Sequence, residues 1–539
     1  MGGRPVAQSR GFVHGAMLLA GAAMVSKLLG SVYTIVLQNI IGDHGMGLFQ
    51  MAYPIYATLL AVATAGFPVA ISKLVSERLA LGDPGAARRV FRVAFSVLSV
   101  LGVVAFCVLF FGADAWAKMA GDAMAAPAIQ AIAPALLLVP VMSAIRGYFQ
   151  GYQWMEPTAS SQVIEQIVRV ATILGLAIWL VQAGYSGSYA AAGAAFGAVT
   201  GAAAGLLSLL YFWARRHPQQ ALNTSGMGMG NRDVVKLLLY YAFPISLGAL
   251  VVPLMNNVDV LTVVNLLKAK GMSQTAATTD FGLLSGRAFK LMMLPTTLAA
   301  GIGIAVMPAV SEAFTLGFRR LVSNRIDLAI RLTMMLALPA SAGLLLLAGP
   351  IDVTLFTNMD GVQTIRVMAA ATIFASLQTT AAAVLQGAGW VYLPVLNLFL
   401  AGLVKLVANL WLVPRFGIEG AAVATVFSYA TAMILNFWAF GRGLGESFRW
   451  RDWLLRPLLA TFIMGAVTFA LLRQWTLWGG LAGGRVFAAV ATLLMVSVGL
   501  LVYGTALLAT GSLSGDELGS IPKIGPYLVS WCSKLGLLR

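Results

Sequence analysis

Apolar stretches of more than about 20 residues recur along the chain from Gly11 to Thr510. A bilayer core about 30 Å thick needs about 20 apolar residues of helix to cross it. Inside hydrocarbon every backbone N–H and C=O must find a partner within the protein. Continuous runs therefore predict helices, because a membrane barrel needs alternating segments of about ten residues and these runs do not alternate. Composition agrees. Of 539 residues 59% are hydrophobic and 10% charged, where a soluble protein would carry about a quarter charged. The expected class is an all-α polytopic membrane protein. The first run continues from Gly11 past Ile40 without a small-residue cleavage pattern, so it reads as a span and not as a cleavable signal peptide.

About fourteen spans are expected, at 11–40, 47–72, 90–112, 127–150, 157–182, 188–213, 235–266, 279–311, 324–349, 364–386, 391–414, 417–440, 453–473 and 484–509. If the N-terminus is inside, 23 of the 35 Lys and Arg residues fall in segments on that side and 7 on the other. Cytoplasmic connections collect Lys and Arg, so both termini are expected in the cytoplasm. The same rule accounts for the net charge of +16 without nucleic acid.

The longest polar connection, 214–233, is rich in Gly, Asn and Gln and reads as a flexible linker. It separates two similar halves. "GL" at Gly47 recurs at Gly282 and "VSE" at Val75 recurs at Val310, both at an offset of 235. "QG..W" at Gln150 recurs at Gln386, an offset of 236, which also carries Arg169 onto Lys405. Each half holds six spans, an even number, so the halves share one orientation, as in transporters built from parallel repeats. The expected organisation is a first lobe at 1–213, a linker at 214–233, a second lobe at 234–445, two further spans in 446–512 and a cytoplasmic tail at 513–539. The tail reads equally as an amphipathic segment on the membrane surface or as disordered chain.

Charges inside spans carry the functional signal, since an ionised group at the bilayer centre costs on the order of 3 kcal/mol. Glu165 and Arg169 are four residues apart on one helix face and can pair. Such a pair either neutralises itself within the bundle or lines a cavity; Ala401, four residues before Lys405, leaves the equivalent cation without an acid. Arg287 and Lys290 are three apart. They could hold an anion between them or snorkel to headgroups. Lys27 falls mid-span. Asp259, beside Asn256 and Asn257, is a counter-charge or a cation ligand, a weak metal signal at best. Lys73 and Arg146, near cytoplasmic ends of spans, suit anchoring as well as function. No Walker A loop, G-x-S-x-G or H-E-x-x-H motif occurs. Cys107 and Cys532 give no disulfide framework, and His14, His44 and His217 are scattered. An enzyme is not expected, nor a cofactor.

"RGYFQGYQWMEPTASSQVIEQIVRV", "GFPVAISKLVSER" and "GRAFKLMMLPTTLAAGIGIAVMPAVSEAF" resemble the stage V sporulation protein B family of polysaccharide-biosynthesis membrane proteins. That family lies with the MurJ-type lipid II flippases in the multidrug/oligosaccharidyl-lipid/polysaccharide exporter superfamily. The resemblance implies two six-helix lobes around a central cavity, with two additional C-terminal helices. It also implies transfer of an undecaprenyl-pyrophosphate-linked sugar precursor, lipid II foremost, for peptidoglycan synthesis by alternating access. Lys27, before "LG", and Lys290, five residues before Pro295, match family cations; uncharged Tyr33 and Thr58 to Leu60 stand where others would fall. On this reading Lys27, Arg169, Arg287, Lys290 and Lys405 would bind the pyrophosphate, and Glu165 and Asp259 would be cavity acids or serve ion coupling. Sodium or proton exchange, or the membrane potential, would supply energy. Membrane lipids and cell-wall synthesis proteins are the expected partners. The rivals are a flippase of the same fold for another polysaccharide precursor, a cation-coupled multidrug exporter, which would want an acidic cavity, and a non-transporting scaffold of cell-wall assembly, which would need no intramembrane cations.

Overall fold

The computed structural model describes residues 5–216, 230–444, 451–480 and 484–511. The centre of the linker and the C-terminal tail lie outside the described residues, as do most side chains before Val32, that of Lys27 among them. Every regular element among the described residues is helical. Thirteen helical runs among them are long and apolar enough to cross a membrane. The difference from fourteen lies at the start of the chain. The first of the thirteen, Val32–Ala80, contains the second expected span and the end of the first. Helix α1 (Pro5–Thr64) runs through both, broken at Gly42, whose φ of 71° and ψ of 175° leave helical geometry. Glycine alone adopts that conformation without strain.

The chain divides into two compact units, Met1–Gly282 and Leu283–Arg539. The first contains α1, then α2 (Phe67–Ala80), α3 (Pro84–Phe111), α4 (Ala113–Ala120), α5 (Ala126–Ile132), α6 (Ala135–Gly151), α7 (Met155–Gln182), α8 (Gly187–Arg216), α9 (Asn231–Ala269) and α10 (Gln274–Gly282). The second opens with a π-helical turn, Leu283–Ala288. It continues through α11 (Phe289–Thr315), α12 (Arg319–Leu346), α13 (Ala348–Phe356), α14 (Val362–Gly387), α15 (Tyr392–Phe416), α16 (Ile418–Leu444), α17 (Arg456–Leu477) and α18 (Gly484–Ala509).

Packing thus divides the chain later than the sequence repeat does, because α9 and α10 are fastened to the first unit along their length. A methyl group at Gly66 would stand 2.1 Å from Ala242 O, and the Gly66 N–H donates to Ser246 Oγ at 3.1 Å. Further along, Asn257 Nδ2 donates to Thr58 Oγ1 at 2.6 Å and to Pro54 O at 3.1 Å. At the far end, Asp122, 1% exposed, accepts from Gln274 Nε2 at 2.6 Å and Thr278 Oγ1 at 2.7 Å. Lys268 Nζ donates to Gly121 O at 2.7 Å.

The repeat itself is visible as the same contacts in each unit. A methyl at Gly151 would come 2.6 Å from Val75 Cβ, and one at Gly387 3.2 Å from Val310 Cβ. Glycine removes the obstacle in both places, so "QG" packs on "VSE" twice. The helix ends match as well: Trp154 N–H donates to Phe149 O, and Trp390 N–H to Leu385 O, each at 2.9 Å. Gln153 and Gly389 hold the left-handed position, with φ of 62° and 88°. Outside the repeat, α17 and α18 attach within the second unit. Tyr503 Oη donates to Met335 O at 2.7 Å, Arg485 Nε donates to Thr354 O at 3.0 Å, and the Trp453 indole donates to Asp327.

Small residues replace the hydrophobic effect as the means of holding helices together in lipid. In α8, Gly193, Gly197, Gly201 and Gly205 recur every fourth residue and face α7. A methyl at Gly197 would lie 2.4 Å from Ile173 Cγ1, and one at Gly201 2.7 Å from both Arg169 Cβ and Glu165 O. Gly201→Leu should therefore lower the melting temperature in detergent, at a cost of about 1–3 kcal/mol from overpacking. Gly175→Ala, whose added methyl meets nothing within 4 Å, should not. Equal behaviour of the two in a thermal scan would show that the α7–α8 approach does not depend on the glycines.

Candidate functional site

Because α8 presents glycine, α7 lies close to it, and the polar face of α7 is left to α1 and α6. That face repeats at helical spacing: Gln162, Glu165, Gln166 and Arg169. Glu165 is divided between two arginines. Its Oε1 takes Arg169 Nη2 at 2.5 Å and its Oε2 takes Arg146 Nη2 at 2.8 Å. Arg146 Nε also donates to Ser161 Oγ at 2.9 Å, and that hydroxyl donates to Thr158 O at 2.9 Å. The side chains of Arg146 and Glu165 keep 13% of their surface accessible and that of Arg169 20%. The expected pair is thus a triad with a formal charge of +1. Arg146, read as an anchor as readily as a functional group, is part of it.

The triad is not saturated. Arg169 Nε, Tyr56 Oη, Gln162 Oε1 and Ser26 Oγ are buried without a hydrogen-bond partner. Tyr33, Tyr53 and Tyr56 of α1 lie within electrostatic reach of Arg169. Gly30 brings α1 close to α7, where a methyl would sit 3.5 Å from Gln166 Nε2. Asp259 is half-buried on α9 and engaged in an interaction of its own. Asn257, expected as an oxygen ligand beside it, holds α1 with its amide nitrogen, and its Oδ1 is buried without a hydrogen-bond partner. Among the described residues no three His, Cys, Asp or Glu side chains are grouped to hold a metal.

In the second unit the two cations of the eighth span part company. Arg287 is 2% exposed and lies in the π turn. Its Nη1 donates to Asp352 Oδ1 at 3.0 Å and to Asn358 Oδ1 at 2.5 Å. Its guanidinium stands 4.8 Å from the Phe356 ring centre. Asp352, itself fully buried, accepts the Gly361 N–H at 2.8 Å with its other oxygen. The expectation that Arg287 and Lys290 repel and so call for a shared anion is corrected here. Arg287 is compensated within the protein, and the i→i+5 bonding of the π turn shifts the register between it and Lys290. Lys290 is half-buried on α11 and has no hydrogen bond or ion pair among the described residues. Lys405 is 1% exposed on α15, with an interaction partner of its own. Buried Asn397, Asn409, Ser428 and Asn436 accompany it, and Asn397 Nδ2 donates to Asn436 Oδ1 at 2.8 Å.

Residues 12–314 match the polysaccharide biosynthesis protein family. The chain belongs to that family. Among curated relatives from Bacillus subtilis (strain 168), it is 34% identical over 517 residues to an uncharacterized membrane protein, YabM, with 94% of each chain covered. It is 30% identical over 515 residues to the lipid II flippase MurJ, covering 91% of this chain and 94% of that one. It is 28% identical over 528 residues to stage V sporulation protein B, covering 96% and 99%. Among solved structures, MurJ in an inward closed conformation superposes with a TM-score of 0.66 at 14% identity, over 91% of this chain and 98% of the other. An inward-facing MATE multidrug transporter gives 0.63 at 16%, over 80% and 98%. These likenesses show a shared fold, that of the superfamily expected from the sequence. The relatives and neighbours with a named activity are a flippase and transporters, not enzymes.

For this family member, motif spacing could not reveal Arg146 or Asp352. They reach their partners across 19 and 65 residues, distances that only the fold closes. Breaking the second pair has a calculable consequence. Arg287→Met alone strands a buried carboxylate and should cost about 3–5 kcal/mol, read as a large drop in melting temperature. Arg287→Met with Asp352→Asn should recover most of it, because the asparagine oxygen still accepts the Gly361 N–H. If the double variant is no more stable than the single one, the ion pair is not what holds α13 to the π turn.

Proposed function

We propose that this protein is a flippase that moves an undecaprenyl-pyrophosphate-linked sugar precursor, lipid II foremost, from the inner to the outer leaflet of a bacterial cytoplasmic membrane by alternating access, serving peptidoglycan synthesis. The observation that carries the reading is the 30% identity to the lipid II flippase across 91% of this chain. The chemistry supports it. Intramembrane cations suit a diphosphate, and Lys290, Arg169 and Lys27 are the ones we assign to it. Arg287 and Lys405 support the substrate-bearing helices from within. The polyprenyl tail stays in lipid throughout. An inside-negative potential contributes about 2.3 kcal/mol per charge per 100 mV to expelling an anionic headgroup, so a separate coupling ion is not required. The multidrug reading rests on fold alone, and among the described residues no group of three His, Cys, Asp or Glu favours it.

The test is translocation in liposomes containing only this protein, with labelled lipid II. Flipping faster than in protein-free vesicles is expected; equal rates would remove lipid II as the substrate. Each charge-assisted contact contributes roughly 1.5–3 kcal/mol. Lys290→Ala should therefore slow the anionic substrate about tenfold or more and leave a phosphate-free polyprenyl glycoside unaffected. Equal loss for both would assign Lys290 to folding or gating.

Cytoplasmic termini are part of the proposal. In a background lacking Cys107 and Cys532, Leu81→Cys should react with an impermeant reagent only from inside, and Asp360→Cys only from outside. Reaction of both from one side would overturn the topology.

A further inference from the structure

We propose that Glu165 is a built-in anion that occupies Arg169 until a phosphoryl group replaces it, and that Arg146 is the positioning residue that holds Glu165 once it lets go. The proposal rests on the reading that the substrate carries pyrophosphate. It adds how one cation is kept ready and then released.

The asymmetry of the triad carries the argument. Arg146 is tied to α7 twice, to Glu165 at 2.8 Å and to Ser161 at 2.9 Å. Arg169 is tied once, to Glu165 at 2.5 Å, and its buried Nε has no partner. Glu165 can therefore leave Arg169 without becoming an unpaired intramembrane charge, because Arg146 keeps it. The reverse exchange, in which Arg146 lets go, would break two contacts and not one. Arg169 freed in this way presents a guanidinium fork whose Nε and Nη groups suit two oxygens of one phosphoryl group.

Tyr56 supplies the second observation. It is 3% exposed, its hydroxyl has no hydrogen-bond partner, and it lies within electrostatic reach of Arg169. A buried hydroxyl left unpaired is costly, and an incoming oxyanion would accept from it. The charge selects the class of ligand. Two cations and one carboxylate leave a surplus of +1, which attracts an anion and repels a cation. A neutral sugar has no claim on the guanidinium. At the equivalent places of the second unit, an offset of 236, stand Ala382 and Ala401. The competitor and its holder therefore belong to the first unit alone.

A competitor built into the site weakens binding and hastens release, since Glu165 returns to Arg169 as the phosphoryl group departs. This gives the variants opposite signs. With purified full-length protein and inorganic pyrophosphate or undecaprenyl pyrophosphate as probes, Glu165→Gln should bind about tenfold more tightly, the worth of one charged contact. Arg169→Gln should lose saturable binding. Arg146→Gln, although it does not touch the ligand, should bind about tenfold more weakly, because Glu165 then has only Arg169. Arg146→Lys should restore binding, and Glu165→Gln added to Arg146→Gln should return it to the wild-type level or above. In transport, Glu165→Gln should lower both KM and kcat.

A Glu165→Gln protein that elutes as folded but binds pyrophosphate no more tightly than wild type would overturn the proposal, as would wild type with no measurable binding. If Arg146→Gln fails to fold, the signs of Glu165→Gln and Arg146→Lys still decide. Flipping of lipid II by wild type, with binding insensitive to all three residues, would sink this inference and leave the function standing. The expected sign pattern with no polyprenyl substrate moved would do the reverse.

Discussion

An ion pair shared three ways governs the first unit. In a medium of low dielectric an isolated charge is costly to keep, so an intramembrane charge calls for a partner group, water or a ligand. Glu165 is that partner for two arginines at once, and the surrounding structure follows from the need to hold it there. Arg146 must come from α6 and Ser161 from the preceding turn of α7, while α8 must not intrude. The glycines at 193, 197, 201 and 205 meet the last condition by letting the α7 backbone at Glu165 and Arg169 press against α8.

The same economy explains why the two units treat their cations differently. In the second unit Arg287 and Asp352 are both essentially inaccessible, and their remaining valences go to Asn358 and the Gly361 N–H. Arg287 and Asp352 thus compensate each other within the second unit. In the first unit valences remain at Arg169 Nε and Tyr56 Oη. A saturated cluster holds a fold, whereas an unsaturated one of unequal charge is where a ligand can be accommodated.

Much of this was legible beforehand, for a physical reason. Spans are long and apolar because hydrocarbon demands it, so α14 and α18 begin and end within two residues of the expected limits. The repeat was legible because close helix contacts need glycine at fixed places, and Gly151 and Gly387 keep both the residue and the contact. Partners distant in sequence were not. The i,i+4 rule found Glu165 and Arg169, but nothing local points from Arg146 to Glu165. The π turn was equally hidden, since one extra residue per turn leaves no mark on hydrophobicity. Without it Arg287 and Lys290 fall on one face, and the inference of mutual repulsion follows.

The disagreement between the repeat boundary and the packing boundary has a consequence for the eighth span. Gln274–Thr315 is one helical run, yet the division between compact units falls within it, at Gly282 and Leu283. Its first part is fastened inside the first unit. Thr278 bonds to Asp122, and a methyl at Gly282 would stand 2.0 Å from Asp43 O. Its second part is fastened inside the second unit through Arg287 and Asp352. The six-residue π turn, Leu283–Ala288, follows the first fastening directly and contains Arg287 of the second. Its hydrogen bonding differs from that of the helix on either side. Arg287, whose spacing from Lys290 suggested a shared anion, is held within the second unit by Asp352 and Asn358.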